Sequence, residues 1–233
     1  MYLCKICIFN LCEISDFMNL IILGPQGSGK GTQALFLAEH FGATHIEVGR
    51  MMRKMAKEDS EIGRELHEIV YVKKELVSDE IVLKALVEEF KKVPLDRGII
   101  LDGAPRRIDQ IEEAELAFSR SGRKIDKIIF LNIADDESID RVSKRYSCPK
   151  CRKHFALGEN LLDPNDLCPD CGSHVEQRKD DTEEGIKKRL SIFKEQTLPV
   201  VEYYRKKGVL AEIDGTKSKK EVFEDIINKL NTN

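Results

Sequence analysis

Short apolar runs alternate with helix-patterned segments along this chain, which predicts an α/β fold whose parallel sheet is covered by helices on both faces. Two observations sharpen that expectation. The run Leu20-Ile21-Ile22-Leu23 leads into a glycine-rich loop that opens a helix. Residues 147–177 break the alternation with paired cysteines.

The elements follow in order. Leu20 to Leu23 is apolar throughout, as a strand buried on both faces requires. Ala34-Leu35-Phe36-Leu37-Ala38 belongs to the helix after the loop, and a helical stretch runs from about Gly49 to Val72. Ser78-Asp79-Glu80 caps a helix that reaches about Lys92 and that Pro94 ends. Gly98 to Asp102 is a short strand ending on a carboxylate, followed by a helix from about Ile108 to Arg120. Lys127 to Ile133 is the next strand, and Asp135 to Tyr146 is helical. Thr182-Glu183-Glu184 caps a long helix that Pro199 bends or interrupts. Val209 to Ile213 is the last strand, and a helix closes the chain.

The 233 residues suffice for one large domain with insertions, and 41% hydrophobic with 34% charged residues fits a globular enzyme. A net charge of −3 gives no global pull toward nucleic acid or an acidic membrane, so any anion site must be built locally. The chain lacks the ~18 consecutive apolar residues of a membrane helix. Residues 1–17 are mildly apolar but interrupted by Lys5, Asn10, Glu13 and Asp16, and they lack a small-residue cleavage site, which argues against a secretory leader. The segment reads as an N-terminal extension or a misplaced translation start. Its Cys4, Cys7 and Cys12 are either three thiols in a tail or, through Cys4-x-x-Cys7, a metal or redox pair. The expected compartment is cytoplasmic, where thiols stay reduced.

The loop Gly24-Pro25-Gln26-Gly27-Ser28-Gly29-Lys30-Gly31-Thr32 carries the strongest chemical signal. Glycines let successive backbone N–H groups curl around phosphate oxygens, and the following helix presents its positive end to the same anion. The motif fits the phosphate-loop pattern once Gly31 is allowed between Lys30 and Thr32. Gly27, Ser28, Gly29, Lys30, Gly31 and Thr32 are therefore candidate ATP ligands, with Lys30 reaching the outer phosphates.

Cys148-Pro-Lys-Cys151 and Cys168-Pro-Asp-Cys171, sixteen residues apart, make two knuckles that can set four thiolates tetrahedrally around Zn²⁺. So short a segment buries little apolar surface, so a metal staple is physically sensible. With four protein ligands the site is closed, which makes the zinc structural. The ribbon sits inside an α/β domain and reads as a lid, and its Glu159, Asp163, Asp166 and Asp170 argue against nucleic acid.

Phosphoryl transfer needs donor, acceptor and metal in line with positive charge around the moving group. Arg141 and Arg145, placed four apart on one helix face, lead into the ribbon; Arg178 leaves it, and Arg189 lies on the next helix. Asp102, ending its strand, is placed either to hold Mg²⁺ through water or to cap the next turn.

From Met18 to the C-terminus the chain resembles the adenylate kinases in their long, zinc-lidded form. Besides the phosphate loop, Ile46 to Arg53 resembles the acceptor motif, Lys74-Glu75-Leu76-Val77 the segment meeting the acceptor base, and Leu101 to Arg106 the D-G-x-P-R motif. Gln110 matches the glutamine that reads the adenine edge, and Arg178-Lys179-Asp180-Asp181 with Arg189 matches the lid exit and transfer site. Asp214-Gly215-Thr216-Lys217 resembles the loop near the donor base. The resemblance implies a three-layer P-loop fold with core segments 18–46, 78–143 and 182–233, an acceptor arm at 47–77 and a lid at 144–181. It implies a monomer using MgATP and AMP to give ADP. Arg141, Arg145 and Lys217 would serve ATP; Val48, Arg53, Val77, Gly103, Arg106, Gln110, Arg178 and Arg189 would serve AMP; Lys30, Asp102, Arg106, Arg141, Arg178 and Arg189 would carry the transfer.

Four departures cluster at the acceptor: Val48 for a usual threonine, Arg50 for aspartate, Ala104 for phenylalanine and Arg107 for threonine. Losing the threonine hydroxyl removes a base contact of about 0.5–1.5 kcal/mol. AMP is thus expected to bind more weakly here than in a typical relative, by up to about tenfold, which the Michaelis constant for AMP reads directly. The competing readings are a kinase for another nucleoside monophosphate and a non-catalytic ATP-binding protein with a recognition ribbon.

Overall fold

The computed structural model describes residues 17–73, 77–151, 153–177 and 181–232. Five strands, β1 (Leu20–Leu23), β2 (Thr44–Glu47), β3 (Ile99–Asp102), β4 (Lys127–Asn132) and β7 (Leu210–Asp214), form one sheet in the order β2-β3-β1-β4-β7. All four pairings are parallel. Along β1 the side chains alternate between faces. Ile21 and Leu23 join a core with Phe90, Phe118 and Tyr204. Leu20 and Ile22 join another with Ala34, Leu37, Val222 and Ile226. Helices α4 (Asp79–Lys91), α5 (Gln110–Arg120) and α8 (Leu198–Lys206) supply the first layer, and α1 (Lys30–His40) and α9 (Lys219–Asn231) the second. This is the three-layer αβα architecture expected. The sheet begins on Asn19, whose Oδ1 accepts from Ile99 N at 3.1 Å and whose N–H donates to Asp126 Oδ2 at 2.8 Å. Among the described residues no helix is long and apolar enough to cross a membrane.

Three expectations needed correction. The helical stretch at 49–72 is two helices, α2 (Val48–Met55) and α3 (Glu61–His67), followed by a π-helical segment at Glu68–Lys73. The break falls at Ser60, whose Oγ accepts from Gly63 N at 3.0 Å and so starts a new helix. The helix predicted to reach Tyr146, α6 (Asp135–Ser143), stops earlier, because Arg145–Ser147 is a strand, β5, paired antiparallel with β6 (His154–Ala156). Arg141 and Arg145 therefore do not share a helix face. Pro199 lies in the first turn of α8, where its missing N–H is harmless, and the interruption is the π-helical Phe193–Thr197 that follows α7 (Glu183–Ile192).

The ribbon has its own small core of Cys148, Phe155, Leu161, Cys168 and Val175. It joins the body through α6 and α7, which pack on each other at Val142, Ile186 and Leu190.

Candidate active site

The glycine loop leaves the carboxyl end of β1, the middle strand, and meets the end of β3 alongside it, the crevice where open α/β sheets bind ligands. Gly24 tolerates no side chain: a Cβ there would sit 2.6 Å from Leu131 O and 2.7 Å from Ser28 Oγ. Gly29, with φ +89°, turns the chain into α1 from the left-handed region. Gly31 and Thr32 continue the first turn of that helix. Ser28 Oγ is buried and has no partner among the described residues, as suits a loop built to close on an oxygen-rich ligand.

Lys30 Nζ donates to Pro25 O at 2.7 Å within the loop. The residue keeps partial solvent exposure. Burial of its ammonium pushes the pKa down from 10.5 to about 8; Asp102 opposes the shift, and Arg106 and Arg145 add to it. Those three side chains therefore lie within electrostatic reach of Lys30. Below pH 8 the free protein carries this unfavourable charge, and the penalty is relieved as pH rises from about 8 to 10.5. A triphosphate bound against Lys30 would restore the charged form. Nucleotide binding near pH 8.5 is accordingly expected to take up a fraction of a proton. Titration calorimetry in two buffers of different ionisation enthalpy measures that uptake, and Lys30→Met should abolish it.

Asp102 is buried at the end of β3, with His45 Nε2 3.7 Å from its Oδ2. A Cβ on Gly31 would lie 3.7 Å from the same oxygen, which places the carboxylate against the start of α1. A single hard oxygen ligand beside a phosphate loop suits Mg²⁺, which keeps waters and takes phosphate oxygens.

Arg106 follows at the β3 exit. Its Nε donates to Gly103 O at 2.9 Å, and its carbonyl accepts from Thr197 Oγ1 at 2.9 Å. A Cβ on Gly103 would sit 3.4 Å from Arg106 Nη2 and 4.0 Å from Val48 Cβ, so Gly103, Arg106 and Val48 line one spot. Val77 packs against the main core. Arg53 lies 3.9 Å from Glu47 and near Gly49. Gln110 Oε1 accepts from Arg106 N at 3.0 Å, and its Nε2 donates to Asp79 Oδ1 at 2.8 Å. A small hollow beside it is bounded by Ala104, Val82 and Leu86, where a larger residue at 104 would fill space.

Arg141 is fastened to backbone. It donates to Gly215 O at 2.8 Å, Thr216 O at 3.0 Å and, more weakly, Gly27 O at 3.4 Å, while Glu137 accepts from its Nε at 2.5 Å. It thus ties the phosphate loop to the Asp214–Lys217 turn. Lys217 is paired with Asp225 of α9 at 2.7 Å. Gln26 Nε2 donates to Ile186 O at 2.7 Å, joining the loop to α7.

Sequence reasoning placed Asp181 in the lid-exit motif but gave it no role in organising the other arginines. Asp181 has a fully buried side chain (0% exposed) and accepts from Arg145 Nη2 at 2.8 Å and Arg189 Nη2 at 2.7 Å. Its place directly before the Thr182 cap gave only a local signal. Arg178, assigned to the transfer site, lies outside the described residues, as do Lys74, Glu75 and Leu76 and the cysteines at 4, 7 and 12.

The Sγ atoms of Cys148, Cys151, Cys168 and Cys171 all lie within 4.8 Å of one another. Cys148–Cys171 and Cys151–Cys168 are each 3.4 Å apart. Zn–S bonds of about 2.3 Å in a tetrahedron give sulfur separations near ~3.8 Å, so the donor set fits.

The adenylate kinase family model matches residues 22–209, which contain the loop, the acceptor motifs and the ribbon. The chain belongs to the adenylate kinase family. It is 38% identical over 209 residues to the adenylate kinase of Methanosarcina barkeri, covering 90% of this chain and 96% of that protein. The adenylate kinase of Lachnospira eligens is 38% identical over 214 residues, 91% of this chain and 100% of its own length. That of Caldanaerobacter subterraneus subsp. tengcongensis is 37% identical over 210 residues, 90% and 94%. The matched span begins inside β1 and ends just before β7, so all the site elements above except the Asp214–Lys217 turn fall within it.

Proposed function

We infer that the chain works as an adenylate kinase. An AMP phosphate oxygen attacks the terminal phosphorus of MgATP, the bond to the bridging oxygen breaks, and two ADP result. The observation that carries this reading is the glycine loop that opens α1 at Lys30 with the Asp102 carboxylate set against it, Arg106 and Arg145 lying within electrostatic reach of Lys30. Such a set supplies what phosphoryl transfer needs, fixed positive charge where charge moves and a carboxylate for the metal. Asp102 would hold Mg²⁺, which would supply charge neutralisation at the phosphates. Lys30 and the loop N–H groups of Gly27 to Thr32 hold the donor phosphates, with Arg141 and Lys217 on the donor side. Arg53 and Arg106 hold the acceptor phosphate, Gln110 reads its base beside Val48, Gly103 and Val77, and Arg145, Arg178 and Arg189 serve the transferring group. Residues 47–77 act as the acceptor arm and 144–181 as the lid around the core of 18–46, 78–143 and 182–233. Closure of both excludes water that would compete with AMP.

The thiolate ribbon, with sulfurs spaced for a metal rather than bonded to one another, supports structural zinc and a reducing, cytoplasmic setting. The acidic ribbon surface supports nucleotides rather than nucleic acid as ligands, and we expect a monomer.

A coupled assay with MgATP and AMP, CMP, UMP or GMP tests the reading. ADP formation fastest with AMP supports it. Preference for another monophosphate would make Val48, Arg50, Ala104 and Arg107 the specificity residues. No transfer from folded, zinc-loaded protein that binds ATP would overturn it in favour of a binding protein.

A further inference from the structure

We propose that Asp79 locks the amide of Gln110 in one orientation and thereby sets which class of base the acceptor site reads. The inference rests on Gln110 contacting the acceptor base. Asp79, the first residue of α4, uses both carboxylate oxygens: Oδ1 accepts from Gln110 Nε2 at 2.8 Å, and Oδ2 accepts from Arg107 Nη2 at 2.6 Å. On the other side Arg106 N donates to Gln110 Oε1 at 3.0 Å. An ionised carboxylate only accepts and a backbone amide only donates. Turning the Gln110 amide over would set its oxygen against Asp79 and its NH₂ against the Arg106 N–H, so both contacts would become repulsive at once. The oxygen and nitrogen of this glutamine are therefore assigned by their neighbours.

After those bonds the amide keeps one N–H and one lone pair of Oε1 for a ligand. For a base held in one pose, that fixed order separates two classes. Adenine and cytosine present a ring-nitrogen acceptor beside an exocyclic amine; guanine and uracil present a ring N–H donor beside a carbonyl. A glutamine free to turn over serves either class, whereas a locked one serves one. With AMP as acceptor, the favoured class is adenine and cytosine. Arg107, which stands where relatives usually have threonine, belongs to the lock: it occupies the second oxygen of Asp79 and is itself held by Asp109 at 3.1 Å. Asp79 is a positioning residue, since it acts on the base only through Gln110.

The test is Asp79→Asn, an isosteric change whose amide can offer either an oxygen or an NH₂ to Gln110. The preference for AMP over UMP and GMP, measured as kcat/KM ratios or as inhibition constants against AMP for poor acceptors, should fall about tenfold, the size of one hydrogen bond. The AMP-to-CMP ratio should hold, because both bases belong to one class; a merely structural lesion would weaken all four together. Arg107→Thr keeps the carboxylate but frees it to turn, and should shift the same ratios in the same direction by less. Gln110→Ala separates the two levels of the argument. If it leaves the AMP KM and the base preference unchanged, Gln110 does not touch the base and the acceptor reading itself fails. If it raises the AMP KM while folded Asp79→Asn and Arg107→Thr keep the wild-type AMP-to-UMP and AMP-to-GMP ratios, the lock is overturned.

Discussion

Asp181→Ala is expected to lower turnover by about 10²–10³-fold and to destabilise the protein by up to ~3 kcal/mol. The carboxylate is wholly buried while its two guanidinium partners, Arg145 and Arg189, keep 22% and 29% of their side-chain surface exposed. Removing the anion takes from both guanidinium groups a buried carboxylate that each of them hydrogen-bonds. The stability loss falls at the low end of what breaking a buried ion pair costs, because the guanidinium groups still reach solvent. The catalytic loss is larger, since Asp181 helps to hold Arg145, whose charge reaches Lys30. Asp181→Asn keeps the shape and one acceptor oxygen, and it should lose less of both quantities. Thermal unfolding and kcat for both variants check this; an Asp181→Ala enzyme with wild-type turnover would show that the two arginines need no such anchor.

Metal removal should have the second large effect. Beyond its cysteines, the ribbon core holds Phe155, Leu161 and Val175 as its buried side chains. Three apolar groups cannot order a segment of this length, whereas structural zinc in such sites contributes about 10–16 kcal/mol. A chelator strong enough to take zinc from four thiolates is expected to unfold the ribbon while leaving the five-stranded sheet intact. Because Arg145 lies on β5 of the ribbon and Asp181 just beyond it, transfer should fall by at least ~10²-fold, the usual consequence of misplacing a catalytic group by an ångström or more. Elemental analysis should find one zinc per chain, and limited proteolysis after chelation should cut first within 147–177. A ribbon that stays protected and an enzyme that stays active without metal would show that the thiolates hold nothing essential.

The two carboxylates behind the boldest expectations, Asp79 and Asp181, look alike in the sequence: each sits at a helix start beside Ser78 or Thr182, where an acidic residue is ordinary. Apart from Arg189, eight residues beyond Asp181, the partners named above are distant along the chain. Asp181 meets Arg145 across 36 residues, Asp79 meets Arg107 across 28 and Gln110 across 31. No local pattern announces such contacts. The same holds for Arg145, whose helical spacing from Arg141 is overridden by the pairing of β5 with β6.

What the chain determines by itself is what short-range physics dictates. Apolar runs alternating with helices specify four of the five parallel strands, β2 with its Thr44-His45-Ile46-Glu47 carrying no such run; the glycines before Lys30 specify the turn into α1, and the paired cysteines bring four thiols together. Each signal lies within a few dozen residues, so backbone sterics and ligand geometry suffice to read it. Tertiary structure decided the rest: that Arg141 is fastened to the carbonyls of Gly215 and Thr216, that Asp181 gathers Arg145 and Arg189, and that Asp79 orients Gln110. A charged side chain on a helix end reads the same whether it faces water or a distant partner. Only the packing of β3, α4, α5 and β5 brings the partner within 3 Å, and at Asp181 it also excludes the water that would otherwise take the partner's place.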